Sequence, residues 1–311
     1  MNTAKNSALL AALLLAAPAL SAAGREPFAL GGVDLSRDTD DFRVENYSAG
    51  AGLYFSDNNT DRAGYRHSEI HYSAPEFHTH GRSESLFGAK RISDSFDASG
   101  ELTQTHLDNG QNKTLGWGQL SGQPNTASNI EVRYEKNLVE SANALNAGIT
   151  YSALSVAGDY QLTDRWNLAG VAGRFDFSDG NERPFYRLKT SWVVSETYGV
   201  SVYARTRKYS DSDPYNGYYF APRHFQDYLG GFAVRRRLPW VHGTLSGQID
   251  WGRQSADGDT TPARSWLLRL ESWAGTRWSY AIATGYSATA GVGGGGNYQY
   301  RYSSASVVFT F

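Results

Sequence analysis

Apolar and polar side chains alternate with a period of two over segments of ten to fourteen residues along most of the chain. In one such segment Ile130, Val132 and Tyr134 alternate with Glu131, Arg133 and Glu135; in another Tyr186, Leu188 and Trp192 alternate with Arg187 and Lys189. A period of two places successive side chains on opposite faces of a strand, so one face meets an apolar medium and the other a polar one. Strands of soluble proteins usually have about five or six residues, whereas a tilted strand that crosses a bilayer needs about nine to eleven. The segment length therefore points to strands in a membrane. Only Val139 to Leu145 offers a possible helical turn.

Composition agrees. The 33 Gly and 42 aromatic residues (20 Tyr, 14 Phe, 8 Trp) disfavour a helical bundle or coiled coil. The absence of Cys removes disulfides, thiolate metal sites and cysteine nucleophiles, and a net charge of −2 argues against nucleic acid as a partner. Lys5, the apolar run Ala8 to Leu20 and the small residues Ser21-Ala22-Ala23 read as a cleaved export signal over 1–23, leaving a barrel domain over 24–311. Aromatic residues recur near segment ends (Tyr54, Phe55, Trp166, Phe175, Phe177, Tyr198, Trp240, Trp251, Trp273, Trp278), where the interfacial girdles of a barrel belong. The reading is all-β: a transmembrane antiparallel β-barrel of about sixteen strands, from 29–37 to 299–311, in the bacterial outer membrane. The short connections around Asp164, Glu196, Pro239 and Gly275 alternate with longer ones at Asp211 to Phe225, Ser255 to Ala263 and Ala290 to Asn297, as turns and loops on opposite sides of a membrane do.

The terminal strand Ser306-Val307-Val308-Phe309-Thr310-Phe311 resembles the signature that the barrel-assembly machinery recognises. The stretch Leu162-Thr163-Asp164-Arg165-Trp166, the turn Ser178-Asp179-Gly180-Asn181-Glu182-Arg183 and the loop Tyr218-Tyr219-Phe220-Ala221-Pro222 resemble the C-terminal porin barrel of outer-membrane exopolysaccharide exporters, those for poly-N-acetylglucosamine, Pel and cellulose. A related phage-adsorption barrel is similar too. The resemblance implies a porin for export of a secreted polysaccharide, with no catalysis and no cofactor. Such exporters usually carry tetratricopeptide repeats before the barrel; here that role would fall to a separate periplasmic repeat or scaffold protein. Ala221 also stands where the family more often has a small polar residue. General diffusion porin and surface receptor are the alternative functions.

Three groups of residues are candidates for function. Asp179, Asn181 and Arg183 form a tight-turn motif able to tether a neighbouring loop. Tyr215, Tyr218, Tyr219, Phe220 and Arg223, in the longest polar insertion, suit a carbohydrate gate, because sugars offer C–H faces to rings and hydroxyls to polar groups. Because lipid excludes charge near its midplane, Arg187, Lys189, Arg205, Arg207, Arg235, Arg237, Arg269 and Glu271 are expected to line the lumen. Arg174, Asp176, Asp250, Glu131, Arg133 and Glu135 are expected there too, with Arg236 near an interface. His67, His71, His78 and His80 are expected on the inward face as polar lining without a metal. Ser83 with His67 and Glu69 can be written as a nucleophile, base and acid, but no G-x-S-x-G spacing supports a hydrolase or acyltransferase.

Overall fold

The computed structural model describes residues 26–56, 60–288 and 298–311. The expected export signal and the Gly-rich stretch 290–297 lie outside them. The sixteen strands are β1 (Glu26–Asp38), β2 (Arg43–Tyr54), β3 (Arg62–Ala74), β4 (Phe77–Ser93), β5 (Phe96–Leu107), β6 (Asn112–Asn125), β7 (Ser128–Leu138), β8 (Thr150–Thr163), β9 (Trp166–Phe177), β10 (Glu182–Ser195), β11 (Val200–Tyr209), β12 (Phe225–Leu238), β13 (Gly243–Ala256), β14 (Asp259–Ser272), β15 (Trp278–Ser287) and β16 (Tyr300–Thr310). Each pairs antiparallel with its neighbours in sequence, and β1 closes the barrel on β16 from Phe28 opposite Thr310 to Asp38 opposite Tyr300. Closure satisfies both edges, which allows a sheet to sit in lipid.

Both described chain ends lie at one rim, where the strands are joined at Asp164-Arg165, 196–199, 239–242 and 273–277. The opposite rim carries the longest fully described connections, 139–149 and 210–224. In an outer-membrane barrel the short turns face the periplasm and the longer loops the exterior. The outward face exposes Leu86, Leu102, Val132, Leu154, Val156, Leu168, Leu188 and Ile249, an apolar belt with Trp166, Trp192, Trp240 and Trp278 toward the terminal rim.

Three groups expected from the alternation have a different orientation. Tyr54, Phe175 and Phe177 turn inward instead of joining a girdle: Tyr54 packs on Phe28, Phe175 on Tyr151 and Phe185, and Phe177 on Tyr219. Since Phe177 is inward, Asp176 and Arg174 alternate outward, where Arg174 pairs with Asp176 and Glu182 beside the loop rim. His67, His71, His78 and His80 also face outward, because their alternates Ser68, Tyr72, Thr79 and Ser83 are buried on the inside. The reason is the same for both charged groups. Charge marks the inward face only at the depth of the hydrocarbon, and these side chains stand on the loop side of the apolar belt, where the outer face meets a polar medium and the inner face packs into an apolar core under the loops.

Inside the loop end the barrel has an apolar core. The connection between β7 and β8 folds as a short helix, α1 (Ala142–Ala147), where the possible helical turn is expected. Ser141 caps it, its Oγ accepting from the Ala144 amide, and Gly148 ends it at φ 69°. Leu145 is fully buried against Phe42, Val44, Tyr72, Phe77, Leu107, Leu115 and Leu138, so the helix is held by the wall it faces. Its last carbonyls take hydrogen bonds from Gln111 Nε2 (2.8 Å to Leu145) and, just beyond, from Lys113 Nζ (2.8 Å to Gly148). A cation there also suits the negative end of the helix.

Candidate functional site

The site is built on the β9–β10 turn. Gly180 takes φ 95°, which brings Asn181 and Arg183 to the inner wall under the β11–β12 loop. Arg183 is the anchor. Its Nε donates to Asp211 Oδ1 at 2.8 Å and its Nη2 to the Phe220 carbonyl at 2.6 Å, so one side chain holds both ends of the loop. The Arg183 and Asp211 side chains are 2% and 0% exposed. The guanidinium lies 4.7 Å from the Tyr209 ring centre and 5.2 Å from that of Phe177, a cation between aromatic faces.

Asn181 and Asp179 complete the hold. Asn181 Nδ2 donates to Asp211 Oδ1 (2.8 Å) and to the Tyr219 hydroxyl (3.1 Å), while its Oδ1 accepts from the Asp213 amide (3.0 Å). The Tyr219 hydroxyl in turn donates to Asp179 Oδ2 at 3.0 Å, and its ring stacks on Phe177 with centroids 4.5 Å apart. Burial pushes the Asp211 carboxyl up from its ordinary range, against the pull of Arg183 and Asn181. Ala221, the departure from the exporter pattern, is buried among Val139, Ile149 and Phe177, an apolar setting that suits a methyl group.

The loop then meets α1. Ser141 Oγ donates to the Tyr218 carbonyl at 2.6 Å and Asn143 Nδ2 to the Gly217 carbonyl at 3.0 Å, so two loops from separate parts of the rim join at the mouth. At the outer edge Asp257 takes hydrogen bonds from the Tyr215 hydroxyl and from the amides of His224 (2.7 Å) and Arg223 (3.1 Å). Partial burial works to raise the Asp257 carboxyl, but these three donors outweigh it and hold it below its ordinary value. The five candidate gate residues thus divide: Tyr219 and Phe220 are loop anchors, while Tyr215, Tyr218 and Arg223 are exposed.

Below the loops the lumen is polar. Arg187, Lys189, Arg205, Arg207, Arg235, Arg237, Arg269 and Glu271 all lie on the inward face. They do not form a uniform basic strip. Arg207 pairs with Asp227 at 2.9 Å and Arg205 with Asp250 at 3.0 Å, and both carboxylates are buried. Asp250 also accepts from the Tyr203 hydroxyl, and Arg269 pairs with Glu271. Lys189 Nζ lies 4.2 Å from the Tyr203 ring centre. Among the described residues no ion pair neutralises Arg187, Lys189, Arg235 or Arg237. Arg236 faces outward, over the Tyr198 ring at the terminal rim.

Facing them is a mixed wall. Arg66 pairs with Glu101 and Arg133 with Glu135, which also accepts from the Tyr151 hydroxyl. A cavity of about 580 Å³ beside this wall is lined by Asp97, Asn129, Glu131, Asp159, Arg187 and Lys189, among others. Asp211 and Asp227, the counterions of Arg183 and Arg207, escaped the sequence reading: one lies in a loop, and the other is a single carboxylate whose partner is known only from strand register. Ser83 cannot work with His67, because Ser83 is buried inside, bonded to Thr105 Oγ1 at 2.8 Å, and His67 is on the outer face.

No protein-family model matches the chain, and no curated protein matches it in sequence. Among solved structures it is similar to a bacterial polysaccharide outer membrane secretin, with a TM-score of 0.69 at 14% identity over 92% of this chain and 98% of that one. It also matches a structure of OccD1 (OprD) at a TM-score of 0.47 and 8% identity, over 92% and 96% of the two chains, and the KdgM porin at 0.37 and 9%, over 91% and 99%. The similarity to the secretin is one of fold, and the chain has the architecture of an outer-membrane, porin-like barrel of sixteen strands.

Proposed function

We propose that this protein is a gated outer-membrane porin through which a secreted polysaccharide passes from the periplasm to the cell surface. One observation carries the reading: the β11–β12 loop is folded into the loop-side mouth on a buried Arg183–Asp211 pair and is hydrogen-bonded to α1. The exposed rings of Tyr215 and Tyr218 on that loop suit the C–H faces of sugars, and the hydroxyls, amides and charges of the wall suit their hydroxyls. Many weak contacts of this kind let a polymer slide without arrest. The fold likeness to a polysaccharide secretin agrees, and the exopolysaccharide-exporter resemblance of the turn and loop motifs points the same way.

Single-channel conductance of the refolded barrel in planar bilayers tests the reading, with and without deletion of Asp213 to Arg223. The gate predicts a small wild-type conductance that rises on deletion and is then blocked by long, but not short, neutral oligosaccharides. A large, steady conductance indifferent to the deletion and to oligosaccharides would instead identify a general porin.

A further inference from the structure

The outer wall of β3 and β4 carries a constellation that the pore does not use. On its loop side, beyond the apolar positions Leu86 and Leu102, the outward face presents Glu69, His71, His80, Arg82 and Glu84. His71 and His80 stand directly opposite each other across the two strands, and Glu69 is two residues from His71 on the same face. Their Nδ1 atoms are 3.0 Å apart, and one ring nitrogen of each histidine lies with a carboxylate oxygen of Glu69 inside a 4.8 Å span. The rings are tilted at 49° with centroids 4.2 Å apart, and the two Nδ1 atoms are within hydrogen-bond distance of each other.

We propose that Glu69, His71 and His80 form a binding site for a divalent transition metal of the zinc type. Zinc takes imidazole nitrogen at about 2.0–2.1 Å and carboxylate oxygen at about 2.0–2.2 Å, and at the tetrahedral angle two such nitrogens lie about 3.3–3.4 Å apart. The observed 3.0 Å is a few tenths of an ångström shorter, so the rings part slightly to take an ion. Two imidazoles and one carboxylate suit zinc, nickel and copper better than calcium or magnesium, whose sites are built from oxygen. The three ligands come from one side, so a further position opens outward to water, as in sites with three protein ligands.

The surroundings also suit a metal site. His67 lies 3.8 Å from the Glu69 carboxylate and bonds Glu84 at 2.9 Å, which fixes the side chain beside the ligand. Glu45 is opposite His71 on β2, the type of residue that receives the second ring N–H of a metal-bound histidine. Arg82 is opposite Glu69 across the two strands. A bound ion would clip β3 to β4 on the outside of the barrel, remote from the lumen.

The test uses the untagged, refolded full barrel in detergent, freed of metal with a chelator, and Zn2+ alone as titrant. Expected is one saturable Zn2+ per chain by isothermal calorimetry, weakened by more than about tenfold in His71→Ala and in His80→Ala and unchanged in His78→Ala and His106→Ala. Co2+ in place of Zn2+ should give visible absorption bands of a four- or five-coordinate ion in the wild type. The heat-dependent gel mobility of each variant reports that its barrel is folded. No saturable Zn2+ and no Co2+ bands in the wild type overturn the proposal without recourse to any variant. Binding that survives His80→Ala overturns it as well.

Discussion

Arg183 shows how one side chain can decide the state of a whole loop. Its partner Asp211 is wholly buried, so removing the guanidinium leaves a carboxylate without its cation, a loss of about 3–5 kcal/mol for a buried pair. Arg183→Ala should therefore release the segment, read as faster amide hydrogen exchange at Ser212, Asp213 and Tyr215. Arg183→Lys should recover little, because an ammonium cannot lie flat between the Tyr209 and Phe177 rings while bonding Asp211 and the Phe220 carbonyl. Asp257 predicts a pH dependence. Its carboxyl is held below the ordinary value, so its contribution is present above the ordinary range of about 3.9 and is lost as pH falls through the lower folded value. Protection of the His224 and Arg223 amides, corrected for intrinsic exchange, should hold at about pH 6 and fade below about pH 3. Asp257→Asn should remove that dependence.

At the scale of elements, the β7–β8 connection is where local sequence and tertiary contact meet. Ser141 both caps α1 and donates to the Tyr218 carbonyl, so Ser141→Ala removes the cap, about 0.5–2 kcal/mol, and unlinks the two loops. Gly148→Ala places a side chain at φ 69°, with its Cβ against Gln111 Oε1. Both variants should keep the barrel, seen as unchanged heat-dependent gel mobility, and should raise the frequency of open-channel events in single-channel records. The strands themselves were legible from the alternation because its period is intrinsic to the extended backbone. Sixteen strands are present where sixteen were expected, and the connection expected to be long at Asp211 to Phe225 is long, whereas Ser255 to Ala263 is not a loop: β13 and β14 run through it to a two-residue turn at Asp257-Gly258. Less legible was the direction of residues near the rims. Alternation shows that His67 and His71 share a face, and only the register and the buried alternates Ser68 and Tyr72 show that this face is outward.

For the whole molecule, the lumen charge is a balance, since Asp227 and Asp250 offset Arg207 and Arg205, and Asp97, Glu131 and Asp159 line one cavity with Arg187 and Lys189, while Arg235 and Arg237 stand toward the terminal rim. Arg235 and Arg237 are exposed at the terminal side, so reversing both to Glu should leave folding intact and shift the reversal potential in a KCl gradient toward cation preference.

By itself the sequence determined the class of fold and its medium: long strands of period two, with aromatic and apolar residues on one face, have few ways to bury that face other than a closed barrel in lipid. It also determined which residues share a face, because that follows from the geometry of the extended backbone. Tertiary structure alone decided that Arg183 meets Asp211 across 28 positions and Ser141 meets Tyr218 across 77, and that His71 stands against His80 on the outer wall. These contacts depend on the closure and register of the sheet, which bring distant segments together at a rim where the inner face is an apolar core and the outer face is polar, the reverse of the pattern at the depth of the lipid.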